Sequence, residues 1–154
     1  MGRRKKEYTK QSYESTGISW DTSANIYISM LQSKAWAELT AKQQVLYLYC
    51  KAQRYAEKKK PSGDLSFTMN RSKWCDLYGL YTVANNRMFY RDMAALIGRG
   101  FIICLECGAI TRTKSVYAFS DMWQNYGTDR FVIPPDHMTK YMLNEVKKQK
   151  EKGA

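Results

Sequence analysis

The chain has 154 residues, of which 44% are hydrophobic and 14% aromatic, and it carries a formal net charge of +11. This apolar and aromatic content excludes a wholly disordered chain and suffices for one domain with a sizeable core. The strong excess of cations favours a polyanionic partner, either nucleic acid or an anionic membrane surface, over a basic protein without such a partner. No apolar run approaches the ~20 residues that cross a bilayer.

Residues 1–22 are polar and basic without any hydrophobic periodicity, which predicts a flexible arm. Arg3, Arg4, Lys5 and Lys6 are not followed by the apolar stretch of a signal peptide, so we expect a cytoplasmic protein with reduced cysteines. Arms of this kind lie along the DNA backbone or in a minor groove. The alternative is a tail that only improves solubility.

The first long helix is predicted from Thr40. The motif T-A-K-Q (40–43) is a capping box, in which each end residue satisfies a backbone N–H of the other. Ser33 can cap a shorter helical turn before it. The long helix should run to about Lys58, before a break at Pro61 and Gly63. Its inward face is predicted to consist of the residues at helical spacing, which are Val45, Leu48, Tyr49, Ala52, Tyr55 and Ala56.

A helix-turn-helix pattern follows a short strand at L-S-F-T (65–68). Thr68 or Asn70 can cap the second helix, and Gly79 suits a left-handed C-terminal position. Thr82 can cap a third helix that ends at Gly98 and Gly100. The predicted inward residues of the second helix are Trp74, Leu77 and Tyr78. Those of the third helix are Asn85 or Asn86, Phe89, Met93, Leu96 and Ile97.

Two β-rich runs, FIICLE and SVYAFS, then predict a hairpin around a polar turn, and residues 136–149 predict a last amphipathic helix. The predicted fold class is mainly α with a small β-hairpin, a winged helix-turn-helix with a C-terminal helix. We divide the chain into a flexible basic arm (1–22), a winged helix DNA-binding domain (23–123), and a linker with the C-terminal helix and basic tail (124–154).

The third helix supplies the predicted DNA-reading residues. With Phe89 facing the core, Arg87 and Arg91 lie on the opposite side, where arginine can bind guanine O6 and N7 bidentately. Asparagine reads adenine, and free N–H groups of a first helical turn suit phosphate. The further predicted contacts are Thr82, Asn85, Asn86 and Tyr90 around this helix, Arg71 and Lys73 at the start of the second helix, and Arg112 and Lys114 near the hairpin tip.

The C-x-x-C pair, Cys104 and Cys107, raises the question of a metal site. Structural zinc takes four ligands, usually as two close pairs, and the other candidates, Cys50, Cys75 and His137, lie at no such spacing. We therefore expect no metal and no cofactor, with both cysteines part of the hairpin. No nucleophile–base, phosphate-loop or paired-carboxylate motif is present, which predicts that the protein is not an enzyme.

Residues 25–123 resemble a winged helix family carried by phages, plasmids and other mobile elements. The likeness lies in S-K-A-W-A-E-L-T before the long helix, in the helix-turn-helix that ends L-I-G-R-G-F-I, and in G-A-I-T-R-T-K-S-V-Y-A-F. The chain is also similar to the N-terminal DNA-binding domains of plasmid and phage replication initiators. The resemblance implies sequence-specific binding of double-stranded DNA in replication initiation or transcription regulation, with replication or transcription proteins as further partners and a homodimer left open.

Two alternative functions use the same fold. A winged helix can serve as a protein-interaction module, and single-stranded nucleic acid or RNA can stack on exposed tyrosines. Both alternatives need an aromatic surface, for which the sequence offers Tyr47, Tyr78, Tyr81, Tyr90 and Tyr126.

Overall fold

The computed structural model describes residues 24–56, 60–61 and 63–153. In this part the chain is helix-rich with one small antiparallel sheet. Its α-helices are α1 (Ile28–Leu31), α2 (Lys34–Ala37), α3 (Ala41–Ala56), α4 (Asn86–Gly98), α5 (Gly108–Thr111) and α6 (Lys140–Lys152). Its strands are β1 (Ser66–Thr68), β2 (Ile102–Glu106) and β3 (Val116–Phe119). A π-helix spans Ser72–Leu77, and short 3-10 helices span Val83–Asn85, Met122–Asn125 and Pro135–His137.

The predicted starts of α2 and α3 are confirmed. The Ser33 hydroxyl accepts a hydrogen bond from the backbone N–H of Trp36 at 3.1 Å. The Thr40 N–H donates to the Gln43 side-chain oxygen at 3.0 Å, and the Gln43 N–H donates to the Thr40 hydroxyl at 3.3 Å. Local hydrogen bonds of this kind need no tertiary contact, which is why the sequence reveals them.

The predicted inward face of α3 is wrong. Val45, Leu48, Ala52 and Tyr55 are exposed, and Tyr49 is half-buried. The buried face consists of Gln43, Leu46, Tyr47, Cys50, Lys51 and Gln53. Half of these buried residues are polar, and each has a tertiary contact that the sequence does not show. The predicted end near Lys58 lies outside the described residues.

The second helix forms where it was predicted but as a π-helix, with the Tyr78 N–H bonded to the Lys73 carbonyl at 2.9 Å. Trp74 is buried as expected, whereas Leu77 is 60% exposed because the wider turn rotates it away from the core. Gly79 has the predicted left-handed conformation at φ 61°. The predicted side-chain caps are wrong, since Lys73 and Trp74 bond the backbone carbonyl of Asn70 instead.

The third helix consists of a 3-10 turn followed by α4. Its predicted apolar stripe is confirmed, since Phe89, Met93, Leu96 and Ile97 are all buried. Asn85 and Asn86 are both exposed, so the prediction that one of them faces inward is wrong. Thr82 makes no side-chain capping bond; its carbonyl accepts from the Asn85 N–H at 3.0 Å.

The predicted hairpin is confirmed, and β1 adds a third strand to it. The strand order is β1-β3-β2, with both pairings antiparallel. Phe67 lies opposite Tyr117, and Ile102 lies opposite Phe119. The segment between β2 and β3, which we call the hairpin loop (107–115), contains the short helix α5 rather than a simple turn.

The C-terminal helix begins later than predicted. Pro135–His137 forms a separate 3-10 turn, and the Thr139 hydroxyl then caps α6 by accepting from the Met142 N–H at 3.4 Å. This helix runs to Lys152 and packs against α4. Among the described residues, the structure contains no helix of the length and hydrophobicity that a bilayer crossing requires.

Candidate nucleic-acid interface

A cleft of about 550 Å³ lies between the hairpin loop, α4, the start of the π-helix and the start of α6. Four of the residues predicted to contact DNA line it, namely Arg71, Arg87, Tyr90 and Lys114. These residues come from three segments that are well separated along the chain. The fold therefore brings the second helix, the third helix and the hairpin loop to one surface.

The cleft is strongly cationic. Arg71, Arg87 and Lys114 are joined by Lys140 from α6, and no aspartate or glutamate is among the residues that line it. All four cations are exposed, and none forms an ion pair with a described carboxylate. Cations grouped without counter-charges raise the local potential and attract anions.

The first turns of α4 place Arg87 and Tyr90 at the cleft. Arg87 is exposed in the first turn, and Tyr90 follows on the same side, 45% exposed. The Tyr90 ring packs edge-on against the buried Phe89 ring, with their centroids 5.2 Å apart. This contact limits the mobility of an exposed aromatic ring that faces the cleft.

The two ends of the hairpin loop come close together at Gly108, next to Lys114. The Gly108 N–H donates to the Ser115 hydroxyl at 3.0 Å, and a Cβ at Gly108 would lie 2.8 Å from the Ser115 nitrogen. Only glycine fits this approach, because a Cβ would also collide with the Thr113 carbonyl oxygen. The loop that carries Lys114 therefore has a defined shape.

The remaining predicted DNA contacts do not line the cleft. Thr82, Asn85 and Asn86 are exposed just before and at the start of α4, and Lys73 is half-buried. Arg112 is exposed in the hairpin loop, in a left-handed conformation at φ 58°. Arg91 lies on α4 and pairs with Asp92. Arg3, Arg4, Lys5 and Lys6 lie outside the described residues.

A buried polar network holds α4 against α3. Asp92 is 2% exposed and accepts hydrogen bonds from the Gln43 amide at 3.0 Å and the Tyr81 hydroxyl at 2.7 Å. Burial, together with the bond to Asp92, raises the pKa of Tyr81 above its ordinary value. Arg91 adds an ion pair, with Nε 3.6 Å from Asp92 Oδ1. The network joins α3, the turn before α4 and α4 itself.

Sequence reasoning missed the contribution of α6 to the cleft. Lys140, Tyr141 and Asn144 line it, and the Lys140 N–H donates to the Cys107 sulfur at 3.3 Å, which ties the helix to the hairpin loop. The amphipathic, lysine-rich pattern of α6 was visible, but a pattern within one helix does not show which surface that helix packs on.

The two cysteines of the C-x-x-C pair lie in the hairpin as expected. Cys104 is buried in β2 and Cys107 is half-buried in the loop. Burial raises the pKa of the Cys104 thiol to about 11, and the neighbouring Cys107 acts in the same direction. In the part of the chain that the structure describes, no group of three or more His, Cys, Asp or Glu side chains is placed to hold a metal ion.

Four of the five tyrosines that were predicted to form an aromatic surface are buried or half-buried. Tyr47 and Tyr81 are buried in the core. Tyr78 is stacked on Tyr49, with centroids 4.1 Å apart, and Tyr126 is half-buried and donates to Glu38. Of the five tyrosines only Tyr90 is exposed. Most of the stacking surface that these five residues were predicted to form is therefore absent, although Tyr27 and Tyr55 are exposed elsewhere.

Comparison of this chain with protein-family models, with curated proteins and with solved structures finds no match.

Proposed function

We propose that this protein binds double-stranded DNA as a winged helix-turn-helix protein, with α4 as the reading helix and the hairpin loop as the wing. The observation that carries the proposal is the convergence of Arg71, Arg87 and Lys114 on one cleft that no carboxylate lines. The element order also supports it, because helix, strand, helix, turn, helix and hairpin follow one another as in that fold.

In this proposal, contacts to base edges and contacts to phosphates come from different parts of the surface. Arg87 and Arg91 on α4, with Asn85 and Asn86 at its start, have the side chains that read base edges in a major groove. The wing and the start of the π-helix carry Lys114 and Arg71, whose charges suit the backbone phosphates. Lys140 of α6 extends the cationic surface in the same direction.

The resemblance to winged helix proteins of mobile elements supports a proposal for the biological role. We propose replication initiation or transcription regulation in a phage, plasmid or other mobile element, in the cytoplasm. Initiation requires contacts to replication proteins besides DNA, whereas repression requires only occupancy of a promoter.

Selection of bound sequences from a random duplex pool, with excess single-stranded competitor, tests the proposal. We expect the parent protein to enrich a duplex motif. The Arg87→Gln variant should lose preference at one or two positions of that motif, because an arginine contact to guanine specifies a single base pair. An Arg130→Gln variant, which changes an exposed arginine outside the cleft, should enrich the parental motif. Retention of the single-stranded competitor in place of the duplex would contradict the proposal.

A further inference from the structure

A second cavity, of about 640 Å³, lies on a different part of the surface from the cleft. It is bounded by α1, by α3, by the end of β3 and by the 3-10 helix Met122–Asn125. It shares no lining residue with the cationic cleft. Its aromatic walls include Tyr47, Tyr55, Phe119 and Trp123. We call it the Lys51 pocket.

The unusual feature of this pocket is a buried lysine. Lys51, on α3, lines the pocket although only 8% of the residue is exposed. Its ammonium lies over the Phe119 ring at 4.7 Å from the centroid, and over the Tyr47 and Tyr55 rings at 5.7 and 5.8 Å. Burial lowers the pKa of Lys51. No described carboxylate forms an ion pair with it.

Aromatic faces offset only part of the cost of removing an ammonium from water. A buried lysine normally meets this cost with a carboxylate and with hydrogen bonds to its three donors. Lys51 has neither among the described residues, so the pocket presents a partly desolvated cation to whatever enters it. An incoming anion would form a charge-assisted hydrogen bond where water competes weakly.

The other polar groups of the pocket restrict the charge of that anion. Asp121 also lines it and is exposed, and it faces the pocket from the 3-10 helix side. Tyr27, Tyr47 and Tyr55 are the other titratable groups among the lining residues. Every carboxylate that enters the pocket is repelled by Asp121, and the single ammonium of Lys51 can offset only one of them, so the pocket favours a ligand with one negative charge.

We propose that the Lys51 pocket binds a small monocarboxylate that carries an aromatic group. The aromatic group packs on the walls formed by Tyr47, Phe119 and Trp123, and the carboxylate accepts a hydrogen bond from Lys51. The volume falls in the range of about 300–1000 Å³ that is usual for small-molecule sites, which are apolar with a few placed polar groups. This site is independent of the proposed DNA binding.

The test compares phenylacetate with phenylacetamide, which differ in charge and little in shape. Each probe is titrated into the full chain, and binding is followed by tryptophan fluorescence, to which the lining Trp123 contributes. We expect phenylacetate to bind at least about tenfold more tightly than the amide, because the hydrogen bond to Lys51 is charge-assisted. Lys51→Met should abolish the difference, since methionine retains much of the apolar volume without the charge.

Lys42→Met is the matched control. Lys42 lies on the same helix, with its ammonium 4.2 Å from the centroid of the Tyr81 ring, but it does not line the pocket. This variant should keep the parental preference for the acid. Equal binding of acid and amide by the parent would overturn the proposal, whatever the variants do. Absence of phenylacetate binding by the parent would likewise overturn the proposal.

Discussion

Replacement of Arg71 and Lys114 together by glutamine tests the phosphate-binding part of the proposed interface. The two residues line the same cleft from segments on either side of α4. Both are exposed, and neither forms an ion pair with a described carboxylate. Exposed substitutions of this kind change the free energy of unfolding by only about 0.5 kcal/mol or less. A change in DNA affinity would therefore reflect the interface rather than the fold.

The salt dependence of binding gives the expected size of the effect. Each phosphate contact contributes about 0.9 to the slope of log K against log salt concentration, so two lost contacts reduce the slope by about 1.8. When salt rises fourfold, from about 50 to 200 mM, the parent should lose roughly 12-fold more affinity than the double variant. Affinity for random duplex should fall together with affinity for a selected site, because phosphates carry no sequence information.

Fluorescence anisotropy of a labelled duplex, measured over a series of salt concentrations, gives both slopes. The control is Lys34→Gln with Arg130→Gln, which removes the same net charge from exposed positions outside the cleft. The control slope should stay close to the parental value. If both double variants reduce the slope equally, overall charge and not the cleft attracts the DNA. An unchanged slope for the Arg71 and Lys114 variant would refute phosphate binding at this surface.

Three further outcomes are expected. Arg87→Ala should weaken binding to a selected duplex by about 1–3 kcal/mol and leave random duplex nearly unaffected, as measured by the same anisotropy assay. Asp92→Ala should lower the free energy of unfolding in urea by about 2–4 kcal/mol, because the Gln43 amide and the Tyr81 hydroxyl lose a buried acceptor. Gly100→Ala should lower the free energy of unfolding by more than about 2 kcal/mol, since φ is 80° and a Cβ would lie 2.6 Å from the Trp123 nitrogen. Gly98→Ala, where the Cβ meets open space, should be neutral or slightly stabilising in the same urea titration.

Features that depend on neighbouring residues could be predicted from the sequence. The capping box at Thr40, the left-handed Gly79 and the apolar stripe of α4 are all present in the structure. Each is encoded within a few residues, by a side chain that bonds the adjacent backbone or by a regular apolar spacing. The β-hairpin was predictable for the same reason, since two β-rich runs flank a polar segment.

Features that depend on distant residues could not be predicted. The inward face of α3 was misplaced because Gln43, Lys51 and Gln53 are buried. Gln43 bonds Asp92 across 49 residues of sequence, and the Gln53 amide bonds the Tyr78 hydroxyl at 2.6 Å. Polar side chains normally mark an exposed face, so a pattern based on hydrophobicity assigns them to the solvent. The packing of α6 beside the cleft was out of reach for the same reason.

The structure also distinguishes the two arginines that the sequence treated as equivalent readers of DNA. Arg87 lines the cleft and forms no ion pair with a described carboxylate, so all of its guanidinium donors are available. Its side chain must, however, lose rotamer freedom when it binds. Arg91 is 56% exposed, and its Nε lies 3.6 Å from the buried Asp92 carboxylate. That ion pair restrains the Arg91 side chain through Nε. It leaves the two terminal guanidinium nitrogens available for a bidentate contact to a base. The buried network that holds α4 in place thus also orients one of the two arginines that we propose as readers of DNA.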